Sequence, residues 1–120
     1  MLAHQRLRAW ERCHELALAI YHSTESWPQR ERYGLVSQIR RAAVSAGANI
    51  AEGAAKQGSR EFARYVDISL GSLAEVAYLL LLARDLGILS MKDFEMLEGL
   101  RSRAGGTTWR LVRGLRGGSI

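Results

Sequence analysis

The segment of residues 33–53 is the part of the sequence that most restricts what this chain can fold into. It reads YGLVSQIRRAAVSAGANIAEG, and its apolar residues recur at three- and four-residue steps, as on one face of a helix. These residues are Leu35, Ile39, Ala42, Ala46 and Ile50. A polar row with the same spacing lies beside them: Gln38, Arg41, Ser45, Asn49, Glu52 and Lys56. Small core residues with an ordered polar flank predict a helix that packs between other helices.

Hydrophobic periodicity predicts four helices, over residues 5–26, 31–55, 60–86 and 91–116. Trp27-Pro28 ends the first, because proline disfavours helix at the residue before it. Ser59 and Ser90 are predicted to cap the third and fourth helices, and Gly87 to close the third. Gly105-Gly106 makes the fourth helix the weakest and a break there conceivable.

The connections between these helices are short, at residues 27–30, 56–59 and 87–90. Short connections favour antiparallel neighbours, and no strand pattern exceeds a few residues. The sequence therefore predicts an all-α, antiparallel up-down four-helix bundle, a single domain of residues 1–116, with a disordered tail at residues 117–120.

Leucines at positions 79–82 surround the third helix at one level. A helix that is apolar all round must be covered on more than one side, so we expect leftover apolar surface to bind another copy of the chain. A long fourth helix folded over it is the alternative. The candidate contact residues are Leu79, Leu81, Leu82 and Trp109.

The formal net charge of +5 arises entirely from the last 22 residues, because all 12 acidic residues lie in positions 1–98. A basic terminal segment indicates nucleic acid, an anionic membrane surface or an acidic protein as partner, and a solvated face is the alternative. Arginine suits phosphate because its planar fork donates two parallel bonds. The candidate nucleic-acid-binding residues are Arg101, Arg103, Arg110, Arg113 and Arg116, with Trp109 positioned to stack on a base or to pack at a subunit edge.

The polar row of the second helix predicts a structural network of Arg41, Ser45, Asn49 and Glu52 that bonds to a neighbouring helix or subunit. A ligand site is the less favoured interpretation. We expect Arg40 and Arg41 to pair with Glu61 or Asp67 on the third helix, the alternative being phosphate contact.

Few motifs in the sequence indicate catalysis or the binding of a metal or cofactor. Glu11 and His14 match the E-x-x-H half-motif of di-iron bundles, but no second copy exists and these side chains are expected to face water. The apolar row of the first helix is predicted to consist of Trp10, Cys13, Ala17, Ile20, Tyr21 and Thr24. Cys13, the single cysteine, lies on this row and is expected to be a small buried hydrophobe. No nucleophile elbow, phosphate loop or dinucleotide motif is present. We expect a non-enzymatic protein with no catalytic residue, metal or cofactor.

The lone cysteine favours a reducing compartment. No run approaches the roughly 18 uninterrupted apolar residues of a membrane helix, and the N-terminus lacks the apolar region of a signal peptide. We therefore expect a cytoplasmic protein without a membrane partner.

Three segments carry a family resemblance: QIRRAAVSAGANIAEG, SREFARYVDISLGSLAE and LLARDLGIL. They resemble the bacterial four-helix-bundle proteins of 23S rRNA intervening sequences, and distantly the accessory proteins of diversity-generating retroelements. The resemblance implies a homopentamer, and its distant branch implies binding to nucleic acid and to a partner protein, a reverse transcriptase. One departure is Ala46-Gly47, where the family has isoleucine-proline, so any kink in the second helix is expected to be milder.

Together these features predict a non-enzymatic oligomeric scaffold that binds RNA or DNA non-specifically through the basic fourth helix. The alternative is a protein-interaction module that recruits an acidic partner protein and has no nucleic-acid role.

Overall fold

Four α-helices joined by short connections make up most of residues 3–117, the part of the chain that the computed structural model describes. They are α1 (Arg8–Thr24), α2 (Leu35–Ala54), α3 (Ser59–Asp85) and α4 (Met91–Leu115). Short 3₁₀ helices, Ala3–Arg6 and Gln29–Glu31, precede α1 and α2, and residues 3–117 contain no strand. The prediction of an all-helical fold with four helices is confirmed.

The helices form a square in which each packs against two others: α1 on α2, α2 on α3, α3 on α4, and α4 on α1. Consecutive helices are antiparallel. The start of α3 therefore lies beside the end of α4, where Arg116 contacts Asp67, and the middle of α1 faces α4, where Cys13 contacts Thr108. One end of the bundle thus collects the start of α1, the end of α2, the start of α3 and the end of α4.

Helices α2 and α3 approach each other closely at Gly53 and at Ser69. A Cβ atom added to Gly53 would lie 2.7 Å from the Cβ of Tyr65, so only glycine fits there without movement. Further along, the buried hydroxyl of Ser69 donates to the carbonyl of Ala46 at 2.7 Å. The small side chain of Ser69 thus lies between the two helices, whereas Gly71 is exposed.

The core row of α1 differs from the predicted one. Its buried residues are Ala9, Cys13, Leu16, Ile20 and Thr24. Trp10 and Ala17 are half-buried beside this row, and Tyr21 is exposed. The row is rotated relative to the prediction because the large aromatic residues lie at the groove between α1 and α2, outside the centre of the bundle.

The helix ends follow local side-chain and backbone chemistry. The hydroxyl of Ser90 accepts from the backbone N–H of Asp93 at 3.1 Å, which confirms the predicted cap of α4. Gly87, with a φ of +76°, ends α3 as predicted, and Ile88 donates to the carbonyl of Ala83 at 2.9 Å in the Schellman arrangement. The predicted cap by Ser59 is wrong, because Gly58 occupies the cap position and provides no side chain.

Residues 31–34 were expected in the second helix, but Glu31 ends the second 3₁₀ helix and residues 32–34 form a turn. Gly34 has φ −110° and ψ −106°, outside the helical region, and α2 begins only at Leu35. The carboxylate of Glu31 accepts from the backbone N–H of Leu35 at 3.3 Å, which satisfies one free donor at the start of the helix.

Glycines inside α2 and α4 do not interrupt either helix. Helix α4 is continuous through Gly105-Gly106, so the break that these residues suggested is absent from the described chain. Helix α2 likewise runs unbroken through Gly47. The tail predicted as disordered, residues 117–120, lies outside the described residues apart from Gly117.

Helix α3 is long and apolar enough, by length and composition, to cross a membrane, and no other helix among residues 3–117 is. The core helix of a water-soluble protein meets the same two criteria. In this chain one row of α3, including Val66, Leu73, Val76 and Leu80, is buried against the rest of the bundle.

Candidate nucleic-acid interface

The outer face of α4 carries two arginines whose side chains point into solvent. Arg103 and Arg110 lie seven positions apart, so they share one face of the helix, with Gly106 between them. Both are exposed, and neither forms an ion pair with any side chain in residues 3–117. Their charges are therefore available to a partner.

Trp109 and Arg113 extend this face toward the end of the helix. Trp109 is 48% exposed, and the guanidinium carbon of Arg113 lies 5.2 Å from the centre of its ring. Such a cation–π contact holds the ring and the charge together at the surface. Arg103, Trp109, Arg110 and Arg113 are called the α4 face below.

The other two candidate arginines, Arg101 and Arg116, are engaged within the chain. Arg101 forms an ion pair with Glu98, one turn earlier on α4, and both side chains are half-buried. Arg116 forms an ion pair with Asp67 of α3, and this pair is exposed. Since an exposed ion pair contributes only about 0–1 kcal/mol, Arg116 is easier to redirect toward a phosphate than Arg101.

Basic residues at the start of α3, which the charge pattern of the sequence did not single out, also lie at this end of the bundle. Arg60 and Arg64 line an open cavity of about 570 Å³ together with Arg116. Arg64 is paired with Glu61 at 2.8 Å, which raises the pKa of its guanidinium, whereas Arg60 is exposed. The antiparallel order of α3 and α4 could have predicted this proximity, because it places the first turn of α3 beside the last turn of α4.

The predicted polar network is reduced to its two central members. Asn49 donates to the hydroxyl of Ser45 at 3.0 Å and to the carbonyl of the same residue at 2.9 Å. The hydroxyl of Ser45 also bonds to that of Ser72 on α3 at 2.9 Å, which links the two helices. Arg41 and Glu52 are exposed and bond to neither residue within the described chain. The prediction that Arg41 and Glu52 belong to the network is therefore wrong, since both side chains face solvent.

The expected pairing of Arg40 or Arg41 with Glu61 or Asp67 is wrong. Glu61 is paired with Arg64, and Asp67 with Arg116. Arg40 instead donates to the hydroxyl of Thr24 at 2.8 Å, so it joins α2 to α1 and not to α3.

Cys13 is fully buried, with its sulfur 3.8 Å from the hydroxyl of Thr108. Burial raises the pKa of the Cys13 thiol, and hydrogen bonds from Thr108 and Ser69 oppose this only in part. A protonated, inaccessible thiol is a poor nucleophile, so Cys13 acts as the buried hydrophobe that was expected. Glu11 and His14 are exposed on α1, as predicted.

The candidate oligomer contacts differ in how much surface they offer. Leu79 is only 4% exposed and is covered by its own chain, which corrects the expectation that it meets another subunit. Leu82 is half-buried against the core, while Leu81 and Trp109 are exposed. Part of the leucine cluster is thus covered within the chain itself.

A further apolar surface lies between α1 and α2. A cleft of about 340 Å³ is lined almost entirely by apolar atoms, and Leu18, Tyr21 and Val44 at its rim are exposed. Leu18 is 60% exposed. These three residues, with the half-buried Trp10 and Ala17, are called the α1–α2 groove below.

The fold and the α4 face define a class: a small, all-helical four-helix-bundle protein with one basic, acid-free helix end. The family model for the 23S rRNA-intervening sequence protein matches residues 5–105. The chain therefore belongs to the 23S rRNA-intervening sequence protein family, which confirms the resemblance.

A solved structure shows the same fold. It is a protein of unknown function from the S23 ribosomal protein family of Bacteroides thetaiotaomicron VPI-5482, with a TM-score of 0.78 and 20% identity. The match covers 88% of this chain and 98% of that one. A comparison with curated proteins found no match.

Proposed function

We propose that this protein is a non-enzymatic, self-associating scaffold that binds nucleic acid without base specificity through the α4 face. The observation that carries the proposal is the exposure of Arg103 and Arg110, without ion pairs in the described chain, on a helix whose last 17 residues (99–115) contain no acid. The name of the family, which refers to intervening sequences of 23S rRNA, supports nucleic acid as the ligand class.

The side chains of α4 favour phosphate contact over base reading. Arginine donates paired hydrogen bonds to phosphate, and Trp109 offers a ring on which any base stacks. Helix α4 contains no Asn or Gln, the side chains that pair with the edge of adenine in the major groove. Helix α4 thus lacks the usual contact to adenine, and we expect its arginines to bind the phosphate backbone of the nucleic acid.

Self-association is supported by the α1–α2 groove, because exposed apolar patches on small proteins mark contact surfaces. The family resemblance points to a pentamer. In a ring of identical subunits the α4 face would recur around one axis. Modest single-site affinity would then give strong overall binding to any polymer that reaches several copies.

The first test measures binding to RNA and to duplex DNA across a salt series. Each phosphate contact releases counterions, so log affinity should fall with log salt by about 0.9 per contact on duplex DNA and about 0.7 on single strands. A double variant, R103Q/R110Q, should weaken binding and reduce that slope by about one per arginine removed.

The matched control is R30Q/K92Q, which removes the same charge from two exposed residues at the opposite end of the bundle. It should leave the slope unchanged. Equal losses in both double variants would show that net charge alone governs binding, and the absence of binding at low salt would end the proposal. Capture of an acidic protein that survives nuclease treatment would favour the protein-recruitment alternative, including a reverse transcriptase.

A further inference from the structure

A second basic and aromatic surface lies at the other end of the bundle, between the end of α1 and the start of α2. It is an open cleft of about 450 Å³. The residues that matter for its chemistry are Tyr21, Arg32, Tyr33, Ser37, Arg40 and Arg41, and none of the residues that line it is acidic. Three guanidinium groups therefore border one cleft without a carboxylate among its lining residues.

Arg40, one of the residues that line this cleft, is held in place by hydrogen bonds to α1. Its Nε donates to the hydroxyl of Thr24 at 2.8 Å, and its Nη2 donates to the carbonyl of Tyr21 at 3.3 Å. The guanidinium carbon lies 4.5 Å from the centre of the Tyr21 ring. These two bonds use two of the five N–H groups of a guanidinium, so the remaining three are fixed in position and free to donate.

The other basic residues of the cleft are open to a partner. Arg32 and Arg41 are exposed, and no side chain in residues 3–117 forms an ion pair with either. Ser37, half-buried beside them, adds a hydroxyl. A pre-positioned arginine with two exposed ones around it suits a tetrahedral anion such as a phosphodiester.

Tyr33 gives the cleft a second kind of contact. Its side chain is 90% exposed, so it contributes almost nothing to the core of its own chain. A tyrosine ring in this position, beside arginines that bind phosphate, is suited to stack on an unpaired base. Duplex nucleic acid keeps its bases stacked and would use only the charges.

We propose that this cleft binds one nucleotide unit of single-stranded nucleic acid, with its phosphate among Arg32, Arg40 and Arg41 and its base on Tyr33. The choice of ligand class rests on the proposed function, but the residues are different. They lie at the end of the bundle opposite the end of α4, in a molecule 44 Å long. The two sites are therefore separable by mutation.

The test of the aromatic contact uses fluorescence anisotropy with a labelled single-stranded RNA of about 20 nucleotides, which is long enough to reach both ends at ~3.4 Å or more per nucleotide. Tyr33→Ala should weaken binding about tenfold, within the range that stacking on one aromatic residue gives. Tyr33→Phe keeps the ring and should bind like the wild type. Both variants should fold, since Tyr33 is outside the core.

The test of the charged contact uses R32Q/R41Q, with R30Q/K92Q as the control of equal charge. R32Q/R41Q should weaken single-strand binding by about tenfold and reduce the salt slope by about 1.4, as expected for two lost phosphate contacts. The control should match the wild type. Arg40 is left intact, because its bonds to α1 are part of the fold.

The outcomes separate this site from the α4 face. Losses in Y33A and R32Q/R41Q with wild-type binding by R103Q/R110Q would support the cleft and remove the proposed function of α4. Loss only in R103Q/R110Q would overturn the cleft and leave the α4 face standing. If Y33A binds like Y33F while R32Q/R41Q weakens binding, the contact is charge alone, and the nucleotide site is overturned in favour of a general surface for acidic polymers.

Discussion

Two glycines in α2 occupy surroundings that differ in how much space they leave. A Cβ atom at Gly53 would lie 2.7 Å from the Cβ of Tyr65 and 2.9 Å from Cδ1 of Phe62. At Gly47 the nearest atom, the Cβ of Cys13, would be 3.8 Å away, which is ordinary contact. The glycine at position 53 is therefore required by packing, whereas the one at position 47 is not.

Alanine at these two positions should have opposite effects on stability. Gly53→Ala should lower the free energy of unfolding by about 1–3 kcal/mol, because overpacking forces α2 and α3 apart. Gly47→Ala should raise it by about 0.5–1 kcal/mol, because alanine loses less chain freedom on entering a helix. Urea unfolding of each variant and of the wild type measures these changes in the free energy of unfolding. If both variants are destabilised by similar amounts, the difference in packing between the two glycines is contradicted.

At the scale of single residues, some contacts follow from the spacing of residues along one helix. Others depend on how far one helix is shifted along its neighbour. The bond between Ser45 and Asn49 follows from their four-residue spacing. Arg101 and Glu98 also lie only three residues apart, but Arg101 was predicted to contact nucleic acid and not to pair with Glu98. The pair of Arg116 with Asp67 depends on how far α4 slides along α3, which no local pattern fixes. The sequence thus located the candidate arginines of α4, but it did not show that Arg101 and Arg116 form ion pairs within the chain.

At the scale of the helix, the start of α4 offers a direct test of capping. Ser90→Ala removes the acceptor for the backbone N–H of Asp93 and should cost about 0.5–2 kcal/mol. The first turn of α4 should also exchange its amide hydrogens faster. Ser59→Ala is the matched control, because Ser59 is the first residue of α3 and Gly58, not Ser59, is its cap.

The readout is hydrogen exchange combined with urea unfolding. Ser59→Ala should change stability by less than Ser90→Ala. A larger effect at position 59 would show that side-chain capping does not set the start of these helices.

Long periodic segments made the four helices predictable to within a few residues, except at the start of α2. There the 3₁₀ helix and Gly34 replace the predicted first turn, because the carboxylate of Glu31 caps the helix from outside. The apolar row of α1 was predicted around Trp10 and Ala17, but Leu16 is fully buried instead. Periodicity gives the width of an apolar face, while the partner helices decide which part of it lies at the centre.

At the scale of the whole molecule, we predict that the α1–α2 groove mediates contact between copies of the chain. The double variant L18D/V44D places two charges on exposed apolar positions and should shift the protein toward the 13.4-kDa monomer. Light scattering coupled to size-exclusion chromatography measures the mass. The fold should persist, because neither side chain is buried.

Met91→Asp is the control for this experiment. Met91 is also exposed, and aspartate in the first turn of a helix is favourable, so this variant should keep the mass of the wild type. A wild-type protein that is monomeric in dilute solution would contradict self-association itself. If M91D becomes monomeric and L18D/V44D does not, the contact between subunits lies at the start of α4 and not at the α1–α2 groove.

The square arrangement of the helices also bears on how quickly the chain reaches its native state. Three of the four helix pairs join neighbours along the chain, and only α1 on α4 brings distant segments together. Folds dominated by such local contacts reach the native state in microseconds to milliseconds. The slow event should be the docking of the last helix on the first, so a ribosome-bound chain that lacks α4 would expose the Cys13 side of α1 until synthesis is complete.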